Sequence, residues 1–305
     1  MLVRVKSSAT CKTEAASSHL SGLMWNNTDE LPDDKIDNDN NGFVDDINGW
    51  NFVDDTNELF NTNFQQEDYH GTMCAGIIAT TTNEISRYRS TNKSLKIMSL
   101  KVLNSRNEDN EENVGSIGNL IKAIKYAENN GASICNISLN TYQISDELDR
   151  TIKQSQMLFI VSAGNSFPRG INIDKVKTYP ACYNYNNVIT VSSIDANNNI
   201  EVHSNYGKDT VDVFAPGTDI LSTSVYNTYS SATGTSMATP IVAGIAAEIY
   251  MCYPKIKPDE AKEIICGSAE GTISSDDNVG INTGIINGKN ALKLTKSIIE
   301  NAPKD

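Results

Sequence analysis

The sequence predicts an α/β domain in which a mostly parallel sheet lies between layers of helices. Three short, mainly apolar runs, at residues 132–139, 157–163 and 188–194, suit strands that are covered on both faces. Segments with helical apolar spacing, at 117–128 and 144–154, separate or precede them. An alternation of strand and helix of this kind indicates a parallel sheet with helices on both sides.

The remaining elements follow from apolar spacing and turn residues. Residues 29–55 are acidic, rich in asparagine and full of turn residues, so they predict an irregular segment. The polar stretches 81–95 and 104–113 predict loops. Further elements are predicted as helices at 73–79, 237–250, 258–266 and 290–299, and as a strand at 96–103.

Length and composition are those of a single globular domain. The chain has 305 residues, of which 39% are hydrophobic, enough for one substantial core. The formal net charge of −13 argues against nucleic-acid binding through a basic face. No run reaches the length expected of a membrane-spanning helix, and no signal peptide is visible at the N-terminus. Residues 1–24 read as a divergent segment and 25–305 as one domain.

Six cysteines are present without any CxxC pair, so a zinc site is not expected. Cys74 and Cys135 lie in apolar segments and are predicted to be buried free thiols. Cys182, Cys252 and Cys266 are candidates for disulfides in an exported protein, although the sequence does not assign pairs.

The most informative segment is GTSMATP, residues 234–240. Ser236 lies between a turn that contains glycine and an apolar helix, which suits a nucleophile. The turn exposes the hydroxyl, and the helix N-terminus brings unpaired N–H groups and partial positive charge beside it. Pro240 is expected in the first helical turn, where its missing N–H leaves no donor unpaired.

This segment resembles the serine motif of subtilisin-like serine proteases, and two further blocks occur in the family's order. DYHGTMCAG at 68–76 resembles the histidine motif, and SAGNS at 162–166 resembles the oxyanion-asparagine motif. Residues 136–139 and 213–217 match connecting segments of the family. The resemblance runs from about residue 25 to about residue 269, and it implies the three-layer subtilisin-like fold.

The resemblance implies a serine endopeptidase that hydrolyses peptide bonds in polypeptide substrates. Ser236 would attack the carbonyl carbon, His70 would take the serine proton, and Asn165 would donate its amide to the oxyanion. An inhibitory pro-segment and a secretory or extracellular location are expected from relatives of this type.

The same resemblance implies substrate contacts at Ser138, Leu139, Asn140, Gly164 and Gly115. Residues 138–140 would form one wall of S1, the pocket for the side chain before the cleaved bond. Added-strand binding of an extended peptide draws affinity from main-chain hydrogen bonds. Relatives usually have glycine where this chain has Asn140. A side chain there would narrow the pocket, so the specificity of relatives does not carry over.

One family feature is missing, because no Asp-Thr/Ser-Gly motif precedes the histidine block. The expected aspartate falls near Thr10, and the nearest carboxylate is Glu14. Residues 2–6 are the only candidate for the preceding strand, and their two cations fit a buried strand poorly. Three explanations are open. The N-terminal sequence is truncated or wrongly predicted, the domain is an inactive pseudoprotease that binds extended peptides, or another carboxylate orients His70.

The segment DNDNNGFVDD, residues 37–46, resembles a calcium-binding loop. Oxygen-bearing side chains alternate, and glycine stands at the sixth place, as in an EF-hand. The predicted Ca²⁺ ligands are Asp37, Asp39, Asn41, the Phe43 carbonyl and Asp45. A similar loop occurs in some subtilisin-like proteases, notably those of apicomplexan parasites. The competing interpretation is an acidic, asparagine-rich insertion, and a calcium-binding structural module is the corresponding alternative function.

Overall fold

The computed structural model describes residues 2–6 (backbone only), 18–60, 68–86, 94–104, 114–271, 273 and 283–301. In chain order the strands are β1 (Leu2–Lys6), β2 (Gly49–Asn51), β3 (Ser94–Lys101), β4 (Leu103–Asn104), β5 (Val114–Gly115), β6 (Ile134–Ile137), β7 (Leu158–Ser162), β8 (Val188–Ile194), β9 (Val213–Pro216), β10 (Ile220–Thr223) and β11 (Tyr229–Ala232). The helices are α1 (Tyr69–Ser86), α2 (Ile117–Asn129), α3 (Asp146–Gln154), α4 (Thr235–Cys252), α5 (Pro258–Gly267) and α6 (Gly288–Asn301).

A seven-stranded sheet in the order β2-β3-β1-β6-β7-β8-β9 forms the centre of the molecule. Strands β6 to β9 are parallel to one another, and β2 is parallel to β3. Strands β6, β7 and β8 are buried along their whole length, as their continuous apolar runs predict. The mostly parallel sheet predicted from the sequence is therefore confirmed.

Alternate residues of each central strand serve two separate cores, one on each face of the sheet. In β7, Leu158 and Ile160 pack in a core with residues of α1, α4, α5 and α6. Phe159 and Val161 point the other way and pack in a core with α2 and α3. Period-two alternation of this kind confirms the predicted three-layer arrangement of helix, sheet and helix.

Strand β1 fills the middle of the sheet but runs against its neighbours. It is antiparallel to both β3 and β6, with Leu2 opposite Met98 and Lys6 opposite Ser94. Strand β1 forms, although the two cations in residues 2–6 fit a buried strand poorly. Its carboxyl end and the carboxyl end of β3 lie at opposite edges of the sheet. Thr10 and Glu14 lie outside the described residues.

One sequence-based boundary is wrong, and some strands were not predicted. Residues 81–86, predicted as the start of a loop, continue α1, in which Thr82 is buried and bonds within the helical layer. Thr82 Oγ1 donates to the Ile78 carbonyl at 2.7 Å and lies 3.4 Å from the Gly244 carbonyl of α4. Strand β2 and the β10–β11 hairpin were not predicted. Residues 87–93 and 105–113, within the two predicted loops, lie outside the described residues.

No run of the sequence was expected to be long enough to span a membrane, but α4 differs from that expectation. Among the described residues, α4 is long and apolar enough for that by length and composition. However, 83% of its 18 residues are buried inside the protein. Helix α4 is thus the central core helix of one layer.

Cys74, Cys135, Cys182 and Cys266 are free thiols, so no disulfide joins Cys182 to Cys266. Cys74 and Cys135 are buried, as predicted. Burial raises the pKa of the Cys74 thiol to about 11 and that of Cys135 to about 12, which keeps both protonated and unreactive near neutral pH.

Candidate active site

Helices α1 and α4 dock in parallel, and their register determines the geometry of the site. Cys74 Sγ lies 3.5 Å from the Ser236 carbonyl, and Thr82 Oγ1 lies 3.4 Å from the Gly244 carbonyl. Both contacts join residues 162 positions apart, and a constant offset means that the helices run in the same direction. The first turns of the two helices therefore lie side by side.

His70 is the second residue of α1, one turn before Cys74 and on the same helical face. The register consequently places it beside the N-terminal end of α4, where Ser236 lies. The residue is exposed, yet the surrounding protein desolvates its imidazole, and this desolvation lowers the pKa of His70 below its ordinary value. A neutral imidazole is the form that can accept a proton.

Ser236 is the second residue of α4, which begins at Thr235. Its hydroxyl makes one long hydrogen bond, donating to the Ser138 carbonyl at 3.3 Å. The hydroxyl is half-buried at the open end of the helix, beside N–H groups that have no intrahelical acceptor.

Pro240 lies deeper in α4 than the sequence predicts. It is the sixth helical residue, so it is not in the first turn. Its missing N–H leaves the Ser236 carbonyl without its intrahelical donor. The Cys74 thiol and the Ser138 hydroxyl approach that carbonyl instead, at 3.5 and 3.1 Å. Three segments of the chain thereby meet at the backbone of Ser236.

Asn165 lies on the other side of the same helix terminus. Its side-chain Oδ1 accepts a hydrogen bond from the Thr235 N–H at 3.1 Å. The amide Nδ2 lies next to Gly234, where a Cβ would come within 3.1 Å of it. Gly234 has φ +141°, which favours glycine. Thus the amide donor and the N-terminus of α4 are adjacent.

The segments that follow β6 and β7 form two facing walls beside Ser236. Because Ile137 pairs with Val161, residues 138–140 run beside residues 162–164. Ser138 is in contact with Ser236 through both its hydroxyl and its carbonyl. Leu139 is half-buried and packs against the α2–α3 core. The carboxyl ends of adjacent parallel strands are where α/β folds bind ligands.

Gly115 lies elsewhere, in a small ribbon where β5 pairs antiparallel with β4. The residue is exposed, and a Cβ on it would come within 2.4 Å of the Val102 carbonyl. This close approach explains why the ribbon carries glycine at that position.

No carboxylate of the described residues is hydrogen-bonded or ion-paired with His70. The acidic residue nearest to it in sequence is Asp68, whose Oδ1 forms a largely buried ion pair with Lys101 Nζ at 2.8 Å. The described part of the chain therefore supplies no carboxylate as the third member of a catalytic triad.

The acidic loop, residues 29–46, brings three carboxylates together. Oxygens of Glu30, Asp37 and Asp39 all lie within 4.8 Å of one another. Glu30 was missed by the sequence argument, since it precedes the loop pattern by seven residues. It is only 4% exposed, and its carboxylate accepts the Asn38 and Asp45 N–H groups at 2.7 and 3.0 Å. Asp37 and Asp39 both accept the Asn41 N–H at 3.0 Å.

The other predicted ligands have different surroundings. The Asp45 carboxylate accepts the N–H groups of Asp34 and Lys35 at 3.2 and 3.1 Å. Asn41 Oδ1 accepts the Phe43 N–H at 2.8 Å, and the Phe43 ring packs against Trp50 at 5.0 Å between centroids. Three close carboxylates with oxygen ligands only are a donor set that fits a hard cation such as Ca²⁺.

Asp46 ties the acidic loop to α2 and was not singled out from the sequence. It is fully buried and accepts hydrogen bonds from Asn27 at 2.7 Å, Asn41 at 2.9 Å and the Tyr126 hydroxyl at 2.5 Å. Burial raises the pKa of the Asp46 carboxyl above its ordinary value, against these hydrogen bonds, which lower it.

Comparison with known proteins gives a consistent result. A family model described as the subtilase family matches residues 21–289. Thermitase from Thermoactinomyces vulgaris is 35% identical over 203 residues, which cover 66% of this chain and 66% of thermitase. Subtilisin-like protease 1 from Plasmodium falciparum is 32% identical over 248 residues, 75% of this chain but only 34% of the relative.

Among solved structures, a cold-adapted subtilisin-like serine proteinase matches with a TM-score of 0.60 and 27% identity. The match covers 77% of this chain and 78% of that structure. Of the two sequence relatives, the chain thus spans about two thirds of one and about a third of the other.

Proposed function

The chain belongs to the subtilase family, and from that premise we propose that it is a serine endopeptidase that cleaves peptide bonds in polypeptides. The observation that carries the proposal is the parallel register of α1 and α4. It brings the turn of His70 beside Ser236, while Asn165 bonds the neighbouring N–H of Thr235.

The proposed chemistry assigns one role to each of three groups. Ser236 attacks the carbonyl carbon, and His70 takes the hydroxyl proton and returns it to the leaving amine. Negative charge then develops on the carbonyl oxygen. The Asn165 amide and the Ser236 N–H are the proposed donors to it, supported by the partial positive charge at the start of α4.

Substrate is proposed to bind as an extended strand along Ser138, Leu139 and Asn140, with Gly115 on the opposite side and Gly164 across S1. This proposal draws support from the two walls that follow β6 and β7 and from the exposed Gly115 of the β4–β5 ribbon. Binding through main-chain hydrogen bonds tolerates many sequences, which suits an endopeptidase.

The experiment is digestion of denatured casein by the purified chain, with the new peptide termini identified by mass spectrometry. Endoproteolytic fragments whose formation is stopped by phenylmethylsulfonyl fluoride support the proposal. Intact casein after prolonged incubation with folded protein contradicts it.

A second candidate function is a pseudoprotease that binds extended peptides without cutting them. It is favoured by the lack of a carboxylate on His70 among the described residues and by the direction of β1, whose carboxyl end lies away from the carboxyl end of β3. In subtilisin, loss of the triad aspartate alone lowers turnover by about 3 × 10⁴. Rapid labelling of Ser236 by a fluorophosphonate probe supports the protease, whereas no labelling of folded protein supports the pseudoprotease.

We further propose that the acidic loop holds a structural Ca²⁺. Asp37 and Asp39 are the ligands that both the sequence pattern and the three-carboxylate cluster support, and Glu30 completes the cluster. Asn41, the Phe43 carbonyl and Asp45 stay proposed ligands from the loop pattern. Bound calcium would neutralise the mutual repulsion of these carboxylates and stabilise the loop.

A secretory or extracellular location and control by an inhibitory pro-segment are part of the same proposal. They are supported by family membership alone. Cell fractionation with an antibody against the native chain tests the location, which fails if the protein is recovered only from cytosol.

A further inference from the structure

Asn140 bridges the two walls beside Ser236, and this bridge has a consequence for substrate choice. Asn140 Nδ2 donates to the Ser162 carbonyl at 2.8 Å. In return, the Ser162 hydroxyl donates to Asn140 Oδ1 at 2.9 Å. One side-chain amide therefore spans the gap between the segments that follow β6 and β7.

The bridge fills the space that a substrate side chain would need. Gly164 lies directly across from Asn140, and a Cβ on Gly164 would come within 2.9 Å of Asn140 Oδ1. Contacts below 3.0 Å are too close for a carbon atom, so even a methyl group on that wall would meet the amide. The Asn140 amide therefore lies against the Gly164 wall, and a substrate side chain would have to share the gap with it.

Both walls are fixed by hydrogen bonds to their backbones, so their spacing is held while the Asn140 amide bridges them. Thr141, which follows Asn140, exchanges two backbone hydrogen bonds with Tyr179, at 2.9 and 2.8 Å. On the opposite wall, the Asn205 N–H donates to the Gly164 carbonyl at 2.9 Å, and the Asn205 side chain donates to Ala163 at 3.1 Å.

We propose that Asn140 is a specificity-determining residue that closes S1, so that the chain accepts substrates with a small side chain, glycine, alanine or serine, before the cleaved bond. This inference rests on the proposed function, because it concerns the substrate of the same site. A large side chain would have to displace the amide and break its two part-buried hydrogen bonds with Ser162, which costs binding energy.

The test compares p-nitroanilide substrates of the form acetyl-Ala-Ala-Pro-X, with X as glycine, alanine, leucine or phenylalanine. For the natural chain, kcat/KM for alanine should exceed that for phenylalanine by about tenfold or more. Asn140→Gly should raise the phenylalanine-to-alanine ratio by about tenfold or more by opening the gap. Ser162→Ala removes one of the two hydrogen bonds and should raise the ratio less.

Asn198→Gly is the matched control, because Asn198 is an exposed turn residue with φ +64°, where glycine fits without strain. It should leave the ratio unchanged. Equal hydrolysis of the alanine and phenylalanine substrates by the natural chain would overturn the inference. So would an Asn140→Gly variant whose kcat/KM changes by the same factor for every X.

A binding series separates this inference from the proposed catalysis. The peptide acids acetyl-Ala-Ala-Pro-X are titrated calorimetrically into Ser236→Ala protein with and without Asn140→Gly. Preference for small X that Asn140→Gly relieves supports the closed pocket, even if the natural chain hydrolyses nothing. Binding that ignores X, or no binding of any peptide, rejects the closed pocket whatever the turnover is.

Discussion

The acidic loop and the His70–Ser236–Asn165 group are both polar, but their hydrogen bonding differs. In the acidic loop, each clustered carboxylate already accepts backbone N–H groups, three of them on Glu30 alone. At the other site, the Ser236 hydroxyl makes one hydrogen bond, of 3.3 Å, and His70 has no side-chain hydrogen bond within the described part of the chain. The loop is held by its own polar side chains, whereas the proposed catalytic groups are held by the packing of α1 on α4.

This difference separates stability from activity. Groups that take part in few native hydrogen bonds are available to a substrate and contribute little to folding. Carboxylates that accept the N–H groups of a loop contribute to folding and take no part in the proposed chemistry. Substitutions at the two sites should therefore affect different measurements.

The largest expected effect is that of Ser236→Ala on turnover. Loss of the nucleophile should lower kcat by up to about 10⁶, the loss that removal of a triad serine causes in subtilisin. The thermal midpoint should hardly change, because the only side-chain bond lost is long. Peptide kinetics and calorimetry measure the two quantities. The control is Ser21→Ala, an exposed serine whose substitution should change neither quantity. A Ser236→Ala protein that is destabilised but keeps its turnover would contradict the expected separation of activity from stability.

Substitution of Asn165 should have the next largest effect. Asn165→Ala should lower kcat by about 10²–10³ through loss of an oxyanion donor. It should also destabilise the fold by about 1 kcal/mol, because the Thr235 N–H loses its acceptor.

Asn165→Asp is the matched variant, since it keeps an acceptor for Thr235 but removes the amide donor and adds negative charge. Its unfolding free energy should stay close to that of the natural chain while kcat falls at least as far as in Asn165→Ala. Full activity of either variant would exclude the oxyanion role.

Calcium should act on stability rather than on chemistry. At a free concentration of 100 times Kd, binding raises the free energy of unfolding by about 2.7 kcal/mol. The measurement is the thermal midpoint in calcium and in EDTA, for the natural chain and for Asp39→Asn and Glu30→Gln, which should lose the response. Asp195→Asn removes a comparable turn carboxylate outside the loop, and this variant should keep the response of the thermal midpoint to calcium. Identical melting curves in calcium and EDTA would reject the site.

The pH dependence of kcat/KM should show the smallest effect and report directly on His70. Desolvation disfavours the charged imidazole, so the base stays neutral to lower pH than usual. The acid limb should therefore lie below about 6.5, the ordinary histidine value. A carboxylate partner would move the limb in the opposite direction, so a limb clearly above 7 would show that one orients His70.

Most of the central sheet could be predicted from the sequence because buried parallel strands consist of runs of mainly apolar residues. Residues 134–137 and 188–194 fall within their predicted ranges for this reason. The short strand β2 and the β10–β11 hairpin lack such runs, and the residues of β11 alternate between exposed and half-buried positions. Their pairing is decided by neighbours far away in the sequence, which local pattern does not report.

The site shows the same limit. Asp37 and Asp39 carry a regular spacing, and the structure brings them together with Glu30, which no local pattern connects to them. Pro240 was misplaced because the sequence does not mark the exact start of α4. The bridge from Asn140 to Ser162 joins residues 22 positions apart, so it depends on the pairing of β6 with β7. The roles of His70, Ser236 and Asn165 stay predictions on which the kinetics will decide.

The most direct test is a crystal structure of the chain after reaction with a fluorophosphonate. The account predicts phosphorus bonded to Ser236 Oγ, with the phosphonyl oxygen accepting hydrogen bonds from Asn165 Nδ2 and the Ser236 N–H, and with the His70 imidazole within hydrogen-bond distance of Oγ. An adduct on another residue, or an Asn165 amide turned away from the phosphonyl oxygen, would contradict it.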